Sequence, residues 1–247
     1  MLLHANGHDH HDFDAIAPSL ASGFRVVAID FPGHGDAPAP SASHAIGAAR
    51  FADAVEEAVD TLALGRVGLL GNSLGGFAAA RLAIRRPTQC WGLVLVQPGG
   101  FLEPTLRVHL ASLVLGTPAV YRALVRRFAH RYMSPRGAAD LSAVERAARH
   151  GERPDGARVS AALWRSFRLP EHDLRAGAGA IVAPTLVIWG GRDPVRPVSE
   201  AQDVVLAIPG ARLEVLDTGH VPFVSDPACF LEVTQPFLRS CLSAEDA

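Results

Sequence analysis

Gly71-Asn72-Ser73-Leu74-Gly75 stands between an apolar run, Arg66-Val67-Gly68-Leu69-Leu70-Gly71, and a helical pattern from Leu74 to Arg86 that Pro87 stops. A G-x-S-x-G sequence at the junction of a strand and a helix places its serine on a sharp turn. A residue lifted onto so tight a turn takes a strained backbone, and glycine two residues before and after it removes the Cβ atoms that would clash. Gly76 adds room for close packing of the helix on the strand. Taken alone, a glycine-rich turn of this kind also serves merely to pack, or to hold a phosphate. Ser73 is a candidate nucleophile, and its partners decide the matter.

On either side of this turn, short apolar runs alternate with helical stretches. Phe24 to Asp30 is brief and β-branched and closes on Phe31-Pro32-Gly33-His34-Gly35, a strand and its loop. From Ile46 to Leu64, Ala49, Ala52, Val55, Val59 and Leu62 recur at helical spacing. Gly92 to Val96 reads as a further strand, and strand, helix, strand at this spacing implies parallel pairing. Between Phe101 and Gly179 the strand signal gives way to arginine-rich helical segments, among them Ala119–Arg131 and Leu141–His150. The strand rhythm resumes at Thr185–Trp189, followed by a helix over Val198–Ile208, a strand at Arg212–Leu216 and a closing helix, Pro227–Cys241. The expected fold is α/β, a mostly parallel sheet flanked by helices. Residues 1–100 and 180–247 form its core, and residues 101–179 are a helical insertion.

A serine needs a base to take its proton, and the base needs an acid to fix its tautomer and stabilise the imidazolium. Both candidates follow in order. Asp193 comes after the strand ending at Trp189, through Gly190-Gly191-Arg192, and His220 comes after the strand ending at Leu216, through Asp217-Thr218-Gly219. Each lies at the C-terminal end of a parallel strand, where open sheets of this kind bind ligands.

Composition narrows the partners. The chain has 247 residues, 49% of them hydrophobic and 19% charged, enough for one sizeable core and far from the composition of disorder. A net charge of −2 gives no footprint for nucleic acid or an anionic membrane, so the expected partner is a small molecule. Lysine is absent, and no chemistry is read into that. Cys90, Cys229 and Cys241 are odd in number and lack metal-ligand spacing, which suits a reducing cytoplasm. No stretch has signal-peptide or membrane-span length. His8-Asp9-His10-His11-Asp12 holds good ligand types for zinc or iron, but its spacing fits no metal template, so neither metal nor other cofactor is expected; Asp9 or Asp12 reads instead as a helix cap.

With Ser73, Asp193 and His220 in that order, the chain resembles the α/β-hydrolases over nearly its whole length. Leu2-Leu3-His4-Ala5-Asn6-Gly7 is similar to the strand and His-Gly turn that supplies part of that family's oxyanion hole, with Ala5 where the family usually has glycine. Asp30-Phe31-Pro32-Gly33-His34-Gly35 resembles its next strand-end loop. The resemblance implies that Ser73 attacks a carbonyl, that His220 and Asp193 serve it, and that the backbone amides of Asn6 and Leu74 bind the oxyanion. The helical insertion then corresponds to the family's cap. The family's opening hairpin is expected to be absent. The strand near Val26 would then have an exposed edge that a second subunit, in a homodimer, could cover.

The resemblance leaves the substrate open. A small ester is the first expectation. Asn72 and the run Val96-Gln97-Pro98-Gly99-Gly100 are similar to carbon-carbon bond hydrolases of dienoic ring-fission products. Val221 stands where those enzymes usually carry Trp, and their cap arginine has four candidates here, Arg122, Arg126, Arg127 and Arg131. A ligand-binding receptor that retains the three residues is the expectation of another class.

Overall fold

The structure, a computed structural model, describes residues 1–42, 46–101, 103 and 105–243. Six parallel strands form one sheet: β1 (Leu2–Leu3), β2 (Ala28–Ile29), β3 (Val67–Asn72), β4 (Cys90–Val96), β5 (Thr185–Gly190) and β6 (Arg212–Leu216), in the order β2-β1-β3-β4-β5-β6. The central strands β3, β4 and β5 are almost wholly apolar and buried, as strands covered on both faces must be. Their C-terminal ends lie side by side, and Asn72 stands in register with Val96, which in turn pairs with Ile188.

Helices cover both faces. On one side α2 (Ala48–Thr61), α3 (Leu74–Arg85) and α8 (Ala201–Ala207) pack on Leu69, Leu93 and Val187. On the other, α1 (Ala17–Ala21), α9 (Pro222–Ser225) and α10 (Pro227–Ser243) cover Leu70, Val94 and Ile188. The α2 helix buries Phe51, Ala52, Val55 and Val59, while of the other residues expected on that face Ala49 is half-buried and Leu62, past the helix end, is exposed. Glu56 is buried with the first four and lies 3.5 Å from Arg85 and 3.6 Å from Arg86.

Between β4 and β5 the chain leaves the sheet for α4 (Leu106–Leu115), α5 (Pro118–Met133), α6 (Ala138–Glu152) and α7 (Pro154–Ser166). Leu115, Tyr121, Val125, Ala157 and Ala161 give these helices an apolar core of their own. The C-terminal part of α5 joins the main core through Ala129, Tyr132 and Met133.

Two elements are shorter than their sequence pattern. The strand expected over residues 24–30 pairs only at Ala28–Ile29, because its sole neighbour, β1, offers two residues for the ladder. It is one of the two edge strands, and the edge it presents is correspondingly short. The helix expected from Val198 starts with a 3-10 turn over Val198–Glu200, and α-helical geometry begins at Ala201. Among the described residues no single helix is long and apolar enough to cross a membrane.

Candidate active site

β3 delivers the chain to Ser73, which adopts φ 54° and ψ −108° before α3 begins. For a side chain other than glycine this is a strained conformation. It is held from several directions. The Ser73 N–H donates to the Val96 carbonyl at 2.9 Å, and the Ser73 carbonyl accepts from Phe77 and Gly99, each at 2.9 Å. A Cβ at Gly71 would lie 2.2 Å from the Gly75 carbonyl oxygen, so the turn closes only with glycine there.

The strand order brings the expected partners to this turn. Nδ1 of His220 lies 2.6 Å from Oδ2 of Asp193. Oδ1 of Asp193 accepts from the backbone amides of Val195, at 2.7 Å, and Arg196, at 3.2 Å. Burial opposes ionisation of Asp193, but the neighbouring His220 and these hydrogen bonds prevail and hold its carboxyl below the usual aspartate value. The other carboxylates near these loops are engaged elsewhere: Glu103 pairs with Arg175, and Asp217 with Arg136 and Arg192.

His220 itself is fixed through its backbone. Its N–H donates to the Tyr132 carbonyl at 3.1 Å, and its carbonyl accepts from Nδ2 of Asn72 at 3.1 Å. The Tyr132 ring stands edge-on to the imidazole, 5.3 Å between centroids. With Nδ1–H donated to a carboxylate, Nε2 is left as the basic nitrogen. Asn72 also donates to the Val96 carbonyl at 3.0 Å, so its Nδ2 ties the residue before Ser73 to the end of β4 and to His220.

Ser73 and His220 line one cavity of about 300 Å³, and Asn6 and Leu74 line it with them. Leu74 is the first residue of α3, so its N–H has no partner within the helix. The Asn6 side chain is occupied, Nδ2 donating to the Ser160 carbonyl and Oδ1 facing Nε2 of His34, both at 3.3 Å. Its backbone amide is oriented by His4, whose Nδ1 donates to the Ala5 carbonyl at 2.7 Å while Nε2 accepts from Phe31 at 3.0 Å. Carbonyl and N–H point opposite ways in a trans peptide, so a carbonyl turned to His4 turns the Asn6 N–H away from it. Burial keeps His4 neutral, its pKa below the ordinary value, which suits one donating and one accepting nitrogen. An imidazole base backed by a carboxylate, a hydroxyl on a strained turn and two backbone amides can together perform nucleophilic attack on a carbonyl and hold the resulting oxyanion.

The cavity walls are mostly apolar, with Val108, Val125, Phe128, Trp164 and Phe167 coming from the helices between β4 and β5 and the segment after them. Arg122, Arg126, Arg127 and Arg131 are not in its lining; Arg126 pairs with Glu145 and Glu152. The arginines that do line it are Arg168 and Arg196.

The histidine-rich run divides among separate carboxylate partners, with Arg146 reaching both Asp9, at 3.4 Å, and Asp12, at 2.7 Å. Asp9 caps the 3-10 turn His10–Phe13 by accepting from the His11 N–H at 3.1 Å. His10 bonds Asp30 and His11 bonds Asp14. His8 reaches Asp12 through Nδ1 and the Tyr132 hydroxyl through Nε2, each at 2.5 Å. Nitrogen and carboxylate atoms of His10, Asp30 and Asp36 come within 4.8 Å of one another, but the Asp30 oxygens already accept from His10 and from the Asp36 N–H.

The parts that His4, Tyr132 and Gln97 play in this arrangement were not among the sequence expectations. Of these, Gln97 carried a usable signal: a polar residue at the C-terminal end of a central strand, flanked in the sheet by the strands that lead to Ser73 and Asp193.

Known proteins resemble this chain over most of its length. The model of the alpha/beta hydrolase fold family matches residues 1–227. A pimeloyl-[acyl-carrier protein] methyl ester esterase of Neisseria meningitidis is 30% identical over 253 residues, covering 96% of this chain and 92% of that protein. Among solved structures, a hydrolase from Pseudomonas aeruginosa aligns with a TM-score of 0.78 at 29% identity, over 96% of this chain and 88% of its own. An esterase from Thermogutta terrifontis aligns with a TM-score of 0.83 over 97% of this chain and 89% of its own; at 21% identity it shows a shared fold alone.

Proposed function

The chain belongs to the alpha/beta hydrolase fold family, and within it we propose that this enzyme is a serine hydrolase of small-molecule esters or related carbonyl compounds, working through an acyl-enzyme. The observation that carries the reading is the convergence on one cavity of Ser73, at φ 54°, and His220, bonded to Asp193 at 2.6 Å.

Each residue then has a role. Oγ of Ser73 attacks the ester carbonyl while Nε2 of His220 takes its proton. The tetrahedral oxyanion rests on the amides of Leu74 and Asn6. The imidazolium, held by Asp193, returns the proton to the leaving alcohol as the acyl-enzyme forms. Water enters, gives its proton to Nε2 and attacks the same carbon, and the acid departs as Ser73 is re-protonated. No cofactor takes part. The helices between β4 and β5 act as the cap, because they supply the apolar wall opposite the strand ends. Three cysteines, odd in number and without metal-ligand spacing, support a cytoplasmic location.

A fluorophosphonate probe and a panel of p-nitrophenyl esters of rising chain length, beside one dienoic ring-fission product, test the reading. Covalent labelling at Ser73, abolished in Ser73→Ala, with ester turnover is expected. Turnover of the ring-fission product alone would move the enzyme to carbon-carbon bond cleavage. An unlabelled serine with no turnover would mean a binding protein.

A further inference from the structure

Gln97 is fully buried just beyond the end of β4 and holds φ 44°, a backbone conformation better suited to glycine. Its side chain makes use of that placement. Oε1 accepts from the Gly190 N–H at 3.0 Å, and this bond settles which end of the amide faces which way. Nε2 must therefore be the atom that meets Oδ2 of Asp193, at 2.7 Å. The same Nε2 lies 3.2 Å from Nδ1 of His220.

We propose that Gln97 is a positioning residue for the acid and base of this site. The proposal rests on the reading of Ser73, Asp193 and His220 given above. Oδ2 of Asp193 accepts from His220 and from Gln97, while Oδ1 accepts from Val195 and Arg196, so both carboxylate oxygens are occupied. The amide disperses charge on the oxygen that faces Nδ1, which makes the carboxylate a weaker base toward the Nδ1 proton and keeps that proton on the imidazole. It also ties the loop carrying Asp193 to the ends of β4 and β5, since one side chain bridges the Gly190 backbone and the acid.

The geometry allows a test that a merely space-filling residue would fail. A carboxylate at position 97 would replace Nε2 with an oxygen about as near to Nδ1 of His220, within hydrogen-bond reach. Asp193→Asn alone leaves an amide where the imidazole needs an acceptor. The pair Asp193→Asn with Gln97→Glu restores one carboxylate and one amide with their places exchanged, and the other oxygen of the relocated carboxylate can still accept from the Gly190 N–H.

The readout is the rate at which a fluorophosphonate labels Ser73 between pH 5 and 9, with thermal melting to confirm folding. Gln97→Met, close in shape but without the amide, is expected to label about 10-fold to 100-fold more slowly, the rate equivalent of one hydrogen bond to a charged group. Its acid limb should move to higher pH, because charge concentrated on Asp193 stabilises the imidazolium. Asp193→Asn should lose on the order of 10,000-fold, and adding Gln97→Glu should recover at least about 10-fold of that loss.

If Asp193→Asn labels at the wild-type rate, the reading of the site itself falls. If that variant is slow as expected, the proposal is overturned when Gln97→Met matches wild type within twofold at every pH and Gln97→Glu restores nothing. Should Gln97→Met fail to fold, the double variant decides alone, by recovery or its absence.

Discussion

Gly75 and Leu3 are packed backbone to backbone: a Cβ at Gly75 would lie 2.1 Å from the Leu3 carbonyl oxygen and 2.8 Å from that of His4. The Gly75 N–H also donates to the His4 carbonyl at 3.1 Å. The nucleophile turn and the loop that leads to Asn6 are thus one unit. Gly75→Ala cannot be relieved by a side-chain rotation, because every close atom belongs to the backbone. It is expected to cost about 3 kcal/mol, the upper range for overpacking, and to lower activity as β1 is pushed away. An unchanged melting temperature and turnover would show that this contact has slack.

Ser73 stores strain that glycine would release. A non-glycine residue at φ 54° and ψ −108° costs about 1–3 kcal/mol. Ser73→Gly is expected to raise stability by about 1 kcal/mol while abolishing turnover, whereas Ser73→Ala abolishes turnover without that gain. Denaturant melts of the two variants against wild type measure it. Equal stability for Gly and Ala would mean that the turn is not strained.

In the proposed mechanism His4 bears on the reaction through a peptide plane. Replacing it by leucine leaves the Ala5 carbonyl and the Phe31 N–H without the partners at 2.7 and 3.0 Å that now hold them. The Ala5 carbonyl then keeps only the His8 N–H, at 3.2 Å, so the Asn6 amide is held less firmly, and kcat on p-nitrophenyl butyrate should fall by up to about 100-fold, the lower range for loss of one oxyanion donor. Because the ester still reaches Ser73, KM should change far less. A rise in KM with kcat intact would remove His4 from the oxyanion argument.

Much of this site was legible because its parts are local. The elbow occupies five consecutive residues, and Asp193 and His220 each follow a recognisable strand through a short turn. The sheet followed from alternation of apolar runs and helices, since β3, β4 and β5 are buried on both faces. What escaped depends on contacts between residues distant in sequence. Gln97 meets Asp193 only because the strand order sets β4 beside β5. Tyr132 reaches His8 across 124 positions and His220 from the end of a helix whose docking no periodicity specifies. The length of β2 was missed for a similar reason, a partner strand setting the ladder rather than its own β-branched residues.

Acid should loosen the junction between the helices and the sheet. His34, from the loop after β2, stacks on His150, from the end of α6, at 4.6 Å between centroids. Burial holds His34 far below the ordinary histidine value, with His150 adding to the effect, and burial lowers His150 to about 4. The unfolded chain protonates both near pH 6.5, while the folded protein keeps them neutral. The unfolded state therefore binds more protons as pH falls from 6.5 toward 4, and stability is lost through that window at about 1.4 kcal/mol per pH unit for each histidine. Asp193 adds nothing there, since its lowered pKa leaves it ionised in the folded state, and its unfolded value is 3.8. Melting temperature is expected to fall steadily below pH 6.5, with His4 and His172, whose values burial also lowers, adding to the loss. His150→Gln, which can still meet the Ser160 hydroxyl now 3.2 Å from Nε2 but cannot titrate, should fall less steeply. Parallel curves for wild type and His150→Gln between pH 7 and 4.5 would place the acid sensitivity elsewhere.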